Sequence, residues 1–511
     1  MASFRMHPRA SDLGHLLCLI CLVQCGGQIG SLPTPPPSPT CQAPEPRTNS
    51  VDQRFGGGGH CALGHQMQLG WFFNWGHGKD YPNQVEIESC AELYPEQQQM
   101  LTVGKPDNTE DYDLEPLKTE YLANEEETAA YAELEALVVG KYTSTDSVLA
   151  SYLLIPMYAE AMPGAFYQIA NEPDWSPYFT PEDYATHFEL FSSRIRQYDP
   201  TARIVIGGIA WSRYNHPMKW RTKELIDPAT MPEPLKTAIA EHPESKAMLE
   251  QNAWVYLWIQ AYREQYGTAP AVDVWAIHPY SWLEGDQAWQ GIYDADLAIA
   301  DTQESVESFR AFLDSAFVEA SDKPLWLTEF SPGQNASCAD FADCNAKALN
   351  VIAYQDGLLP WLAESKLAQK WFWFVLRPTP WTGELFTSFM FANENGELND
   401  AAANYVRLAE THRDRKPPII EQTALTALPD KTNARLLIIS ANDLDSGVAR
   451  YAYGFYDSSD KTVGDWTTLD APGETLTSEI VPPADAVTLY VRVQDHAGNE
   501  ATECTTLGQA H

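Results

Sequence analysis

Two glutamates stand where an apolar run gives way to a loop. Residues 166–170 (FYQIA) lead straight into Asn171, Glu172 and Pro173, and residues 325–328 (LWLT) lead into Glu329. Short apolar runs bounded in this way predict buried strands. When such strands lie parallel in a closed barrel, the residues at their C-terminal ends share one face of the molecule. Two carboxylates facing each other there can divide one task. One protonates a leaving oxygen, while the other attacks the acetal carbon or activates water, as glycosidic-bond hydrolysis requires. A glutamate after an apolar strand is also a common solvated loop residue. Either one alone carries little weight; both, in order and with matching companions, carry much more.

The elements that would position this pair can be followed along the chain. Residues 68–75 (QLGWFFNW) predict an early strand, and 166–170, 203–207 (RIVIG), 272–277 (VDVWAI), 325–328 and 371–375 (WFWFV) predict later ones. Between the second and third of these, Thr180 and Pro181 predict a helix start, and Tyr184, Phe188, Phe191 and Ile195 form one apolar face. Asp199 and Pro200 end that helix. Strand–helix–strand alternation implies parallel pairing. The fold class expected is α/β, a (β/α)8 TIM barrel over residues 51–415, with Glu172 after the fourth strand and Glu329 after the seventh. The run Gly56–Gly59 is expected to be flexible, residues 105–140 acidic and helical, and the second and third strands are not located.

Beyond Lys416-Pro417-Pro418 the pattern changes to short strands separated by turn signals such as Asp443–Gly447 and Asp495–Asn499. Residues 416–511 are expected to form a small immunoglobulin-like β-sandwich, acting as a spacer or as an accessory sugar or wall binder. At the other end, Arg5, Arg9 and the apolar run 16–23 predict an export signal over 1–25, too short to span a bilayer. Residues 22–25 loosely resemble a lipoprotein signal, which makes a lipid anchor at Cys25 an alternative to plain cleavage. Residues 26–50 are proline-rich and expected to be a linker. Export makes disulfides permissible. Cys338 with Cys344, and more loosely Cys61 with Cys90, are the pairs that spacing suggests.

Three segments together resemble clan A of the glycoside hydrolases: FYQIANEPDW (166–175), VWAIHPYSW (274–282) and KPLWLTEFSP (323–332). The stretch 165–210 is similar to family 39 and its relatives. Residues 71–75 with the HPY and TEF motifs resemble the family 128 β-1,3-glucanases. The resemblance covers the barrel in four islands and departs from the families between residues 212 and 270, a loop region that would decide whether one end of a cleft is closed. It implies that Glu172 is the acid/base and Glu329 the nucleophile of a retaining enzyme, with carboxylates about 5–5.5 Å apart. It also implies that Asn171 holds a sugar 2-hydroxyl, that His278 and Tyr280 lie at the end of strand six with Tyr280 able to bond Glu329, and that Trp373 floors the subsite of the cleaved sugar. Trp71, Asn74 and Trp75 on strand one, and Trp175 and Trp211 after strands four and five, are candidates for the cleft wall. Phe372 and Phe374 are expected to be packing, since they alternate with Trp373.

The remaining numbers exclude classes of function. With 70 acidic against 33 basic residues the formal net charge is −37, which argues against nucleic acid as a partner. The cysteine spacings fit no zinc motif, and His60, His65 and His77 lack ligand spacing, so neither a metal nor another cofactor is expected. No segment reaches transmembrane length, and the partner expected is a polysaccharide or oligosaccharide. The expectation is therefore a secreted or surface-attached endo-acting hydrolase of β-linked polysaccharide, β-glucan foremost. An exo-acting β-xylosidase or β-glucosidase on the same barrel, and a non-catalytic carbohydrate-binding surface protein, are the alternatives.

Overall fold

A computed structural model describes residues 41–58, 61–74, 98–104, 113–141, 145–175, 179–210, 224–280, 295–317, 323–332, 341–374, 376, 391–392, 396–428, 431, 433–470 and 474–507. Residues 41–511 form one compact unit. Its first part holds eight strands: β1 (Phe55–Gly58), β2 (Trp71–Asn74), β3 (Gln98–Val103), β4 (Phe166–Ile169), β5 (Arg203–Ile206), β6 (Trp275–Ile277), β7 (Leu325–Phe330) and β8 (Lys370–Trp373). They pair in the order β5-β4-β3-β2-β1-β8-β7-β6. Parallel bridges from Val205 to Val274 and from Ile209 to Ile277 join the two ends, so the sheet closes into a (β/α)8 barrel.

The glycine run expected to be flexible is instead β1. A Cβ on Gly56 would sit 2.7 Å from Phe372 Cδ1 and 2.9 Å from Trp71 Cβ. The volume that a side chain would take is already filled by aromatic rings. Trp71, Phe166 and Trp326 meet at centroid distances of 4.7–4.9 Å, with Phe372 at 5.8 Å from Trp71. These four rings, from β2, β4, β7 and β8, pack the interior toward the N-terminal ends of the strands. The segment 68–75 is thus the second strand, and the third is Gln98–Val103.

The helix Pro181–Tyr198 forms where expected. The Thr180 side chain accepts the amide of Asp183, and Pro181 occupies the first helical position. Its buried face of Tyr184, Phe188, Phe191 and Ile195 packs on the helix Ala253–Tyr266 through Tyr184, 5.4 Å from Trp254 and 5.3 Å from Trp258. The part of the supposed insertion after β5 that spans residues 233–266 is therefore largely helix with an apolar stripe, while residues 211–223 lie outside the described residues.

Seven antiparallel strands follow: β9 (Ile419–Ala427), β10 (Arg435–Asn442), β11 (Val448–Tyr456), β12 (Thr467–Asp470), β13 (Thr475–Ile480), β14 (Thr488–Asp495) and β15 (Glu500–Thr506). They form sheets ordered β13-β10-β9 and β12-β11-β14-β15, which share a core of Leu437, Ile439, Tyr451, Leu489, Val491 and Val493. The N-terminal stretch does not behave as a free linker once Cys41 is reached. Cys41 is bonded to Cys504, and Arg47 exchanges backbone hydrogen bonds with Glu500 on β15. An edge strand offers unpaired backbone groups, and this segment takes them up. Cys61 is also disulfide-bonded, while Cys90, Cys338 and the Cys344 side chain lie outside the described residues. Residues 1–40, including Cys25, lie outside them too. Among the described residues no helix is long and apolar enough to cross a membrane.

Candidate active site

β4 ends in an unusual backbone path. Ala170 and Glu172 both have positive φ, 62° and 46°, a region that L-residues with side chains seldom adopt. Non-glycine residues held there carry strain that the surroundings must offset, and such strain clusters at functional sites. The restraints are visible: the Ala170 amide donates to Val103 O at 2.7 Å and the Glu172 amide to Gly208 O at 3.0 Å. Tyr184 OH donates to Ile169 O at 2.8 Å and accepts from the Gly207 amide at 2.9 Å, tying the ends of β4 and β5 together. Asp174 accepts the amide of Ala210 at 2.8 Å and fastens the two following loops.

Glu329 reaches the same face by a different device. Trp326 and Thr328 point into the barrel, so strict alternation would send Glu329 outward. The pairing of β7 with β8 slips between Leu327 and Phe330: three residues on β7 oppose two on β8. This bulge turns Phe330 outward, 5.3 Å from Trp373, and lets Thr328 and Glu329 both serve the interior.

His278, at the end of β6, joins the two acids. Its Nδ1 lies 3.0 Å from Glu172 Oε1 and 3.5 Å from Glu329 Oε2, and its Nε2 lies 3.0 Å from Thr328 Oγ1. The imidazole packs directly against Gly208, where any Cβ would overlap Nε2. Tyr280 OH donates to Glu329 Oε2 at 2.7 Å. Burial, followed by the charges of Glu329 and Glu172, holds the Tyr280 phenol well above its ordinary pKa, so it stays a donor. Gln168, fully buried, donates to Asn171 Oδ1 at 3.2 Å and fixes that amide beside Glu172. The Glu172 side chain is 17% exposed and that of Glu329 7%, so the former is the more open. One oxygen of each glutamate and one His278 nitrogen all lie within 4.8 Å of one another. The same three atoms could face a cation, and that alternative has its own test below.

The structure thus brings together Asn171, Glu172, His278, Tyr280 and Glu329. Trp175 is half-buried next to them, its amide donating to Glu172 O at 3.0 Å. Two other expectations fail. Trp373 is fully buried on the outside of the barrel wall, stacked on Phe391 at 4.8 Å and 14° and 5.7 Å from Tyr405. Its neighbours Phe372 and Phe374 face inward instead, Phe374 lying 6.0 Å from the Tyr280 ring. Trp71 is fully buried in the aromatic packing at the other end of the barrel. The Asn74 side chain, Trp75 and Trp211 lie outside the described residues. Sequence reasoning missed Thr328, Gln168 and Gly208. Only Gly208 left a trace, as the second glycine after the strand RIVI.

Residues 209–405 match the family model described as the glycosyl hydrolase catalytic core. The match takes in His278, Tyr280 and Glu329, while Glu172 lies before it. The chain carries the catalytic core of a glycoside hydrolase and is an enzyme of that class. Among solved structures it is similar to a GH128 (subgroup VI) exo-β-1,3-glucanase from Aureobasidium namibiae, at 11% identity over 70% of this chain and 96% of that one, TM-score 0.36. It is also similar to an endo-β-1,4-mannanase from Thermotoga petrophila, at 10% identity over 90% and 98%, TM-score 0.33. A glucosidase from Croceicoccus marinus gives 12% identity over 91% and 98%, TM-score 0.37. No curated protein matches the chain.

Proposed function

We propose that this enzyme is a retaining hydrolase of β-linked polysaccharide, with Glu329 as nucleophile and Glu172 as acid/base. The observation that carries the proposal is the carboxylate spacing. Oxygens of the two glutamates lie within 4.8 Å. That is close to the ~5–5.5 Å of retaining enzymes and well short of the ~6.5–9.5 Å that leaves room for an inverting water. The environments support the division of roles. Glu329 accepts the Tyr280 hydroxyl, and a donor to a carboxylate favours the ionised form that attacks. Glu172 is the more open, as a group exchanging protons with leaving group and water must be.

Glu329 forms a bond to the anomeric carbon as that carbon's bond to the leaving oxygen breaks, and Glu172 gives that oxygen its proton. Water, giving a proton to Glu172, then displaces Glu329 and restores both groups. Asn171, its carbonyl oxygen occupied by Gln168, has its amide hydrogens for the sugar 2-hydroxyl. With Trp71 and Trp373 in the core, an extended endo-type cleft rests on Trp175 alone among the described candidates. The Cys41–Cys504 disulfide supports export, in line with the N-terminal apolar run.

The test is a polysaccharide panel led by β-1,3-glucan, mixed-linkage glucan and xylan, with Glu172→Ala and Glu329→Ala beside the wild type and the anomer followed by NMR. Retention of configuration, lost in both variants, is the expected outcome, and product lengths separate endo from exo action. Inversion, or turnover that survives either substitution, overturns the mechanism. Polysaccharide binding without cleavage would make the chain a binder. Turnover abolished by EDTA well below the unfolding temperature, and restored by a divalent metal, would move the reaction to the cation alternative.

A further inference from the structure

Far from the glutamates, three carboxylates from three separate segments meet at the junction of barrel and sandwich. Asp414 follows the last barrel helix, Asp400–Thr411; Asp443 opens the turn between β10 and β11; Asp495 ends β14. One oxygen from each lies within 4.8 Å of the others. Asp414 is 5% and Asp495 1% exposed. Among the described residues no lysine or arginine forms an ion pair with any of the three. Arg54 is taken by Asp52 at 2.7 Å, and Lys416 by Asp445 at 2.7 Å.

Arg54, paired with Asp52, reaches Asp414 and Asp495 only at longer range, so three carboxylates gathered in a largely buried place carry an excess of negative charge that a bound cation would offset. The polar atoms left over point to what that is. Asp414 Oδ1 accepts the Lys416 amide at 2.9 Å, but its Oδ2, buried, has no hydrogen-bond partner. The Ser446 hydroxyl, on a residue 5% exposed, lies close enough to Asp414 to act on it as a donor, yet makes no hydrogen bond of ordinary geometry. Meanwhile the backbone holds the acids in place. Asp443 Oδ1 accepts the amides of Asp445, Ser446 and Gly447 at 2.7–3.0 Å, and Asp495 accepts the Asn499 amide at 2.8 Å. The carboxylates are thus oriented by donors that do not neutralise them.

We infer that Asp414, Asp443 and Asp495, with the Ser446 hydroxyl, form a divalent cation site, and that the cation is Ca²⁺. The donors are all hard oxygens, the class that Ca²⁺ takes six to eight of at about 2.3–2.6 Å, completing its shell with water. The ion stitches the end of the barrel to two turns of the sandwich, so its role is structural and separate from the glutamates.

The experiment uses the full mature chain, stripped with EDTA, at pH 7.5. Calorimetric titration with CaCl₂ is expected to show one site per chain with Kd of about 10⁻⁴ M or tighter, and 10 mM Ca²⁺ is expected to raise Tm by several degrees. Asp443→Asn, at the most exposed of the three acids, abolishes the Tm rise. Ser446→Ala weakens binding by about threefold or more and serves alone if Asp443→Asn fails to fold. Absence of saturable heat in the wild type, a Tm rise equal in the wild type and both variants, or an equal response to Mg²⁺ overturns the assignment.

Discussion

The two ends of the barrel gather buried charge in opposite ways. At the C-terminal end two acids, Glu172 and Glu329, crowd within 4.8 Å of each other, a spacing that favours one of them keeping its proton, with the neutral donors Tyr280 and Thr328 and the His278 ring beside them. At the N-terminal end the signs alternate. Arg54 is clasped by Asp52 through both Nε and a terminal nitrogen. Lys370 lies buried 3.7 Å above Trp71, its Nζ donating to Gln53 O at 3.0 Å, and Arg450 from β11 lies 5.7 Å from Phe166. Burial, with Arg450 nearby, pushes Lys370 well below its ordinary pKa. Two acids held that close do not readily both ionise, which keeps a proton available for a leaving group. Pairs and cation–ring contacts under a covering sandwich give cohesion without access to substrate.

The largest effect separates the two ends directly. Glu329→Gln is expected to cut kcat on the order of 10⁴-fold. It leaves Tm unchanged or raises it by a few degrees, because one of two crowded acids is gone. Lys370→Met, similar in volume, is expected to leave kcat/KM within about twofold and to act on Tm alone. Steady-state kinetics and calorimetry on both variants check this. A Lys370→Met enzyme that is folded yet inactive would break the distinction, showing that the floor of the barrel reaches the site.

Trp373→Ala comes next. Its ring is enclosed by Phe391, Tyr405, Phe330 and Tyr354, so truncation leaves a cavity and destabilises by about 3–5 kcal/mol, read by denaturant unfolding, with KM unchanged. A large rise in KM at intact stability would return Trp373 to the cleft. This residue also marks where the sequence stopped being legible. The strand WFWFV was plain as a strand, but alternation says only that 371 and 373 share one side and 372 and 374 the other. Which side is inside depends on what the other strands place there. Here the glycines of β1 make room for Phe372, a fact visible only once β1 and β8 are paired. For the same reason Gly56–Gly58 could not be read as a strand: it lacks the apolar side chains that announce one. The two glutamates, His278 and Tyr280 were legible because each directly follows a strongly apolar run. Thr328 and Gln168 act from within their strands, and the bulge that admits Thr328 and Glu329 together has no local sequence mark. β9 and β15 carry no clear strand signal because both are edge strands, β15 largely polar and β9 without the apolar alternation of a half-buried strand.

Tyr280→Phe is a smaller change at the active end. Removing one hydrogen bond to a charged carboxylate costs about 1.5–3 kcal/mol, so kcat should fall by roughly 10–100-fold. If Tyr280 orients Glu329, the acid limb of the kcat/KM–pH profile moves upward, because the ionised form loses its donor. A fall in kcat with the acid limb unmoved would reduce Tyr280 to packing.

The smallest effect concerns a residue packed beside the C-terminal end of β3. His187, on the helix Pro181–Tyr198, is fully buried among Phe179, Phe191 and Tyr184, with ring centroids 4.6–6.4 Å away. Burial pushes its pKa from 6.5 down to about 3. The unfolded chain therefore takes up a proton below about pH 6.5, while the folded chain does not until near pH 3. Its contribution to stability is full above pH 6.5 and is lost as pH falls, by about 2 kcal/mol at pH 5. Denaturant unfolding at pH 7 and pH 5 should show His187→Leu losing about that much less than the wild type over the same interval. Equal losses would mean that His187 is protonated in the fold, and that the aromatic packing around it tolerates a buried charge.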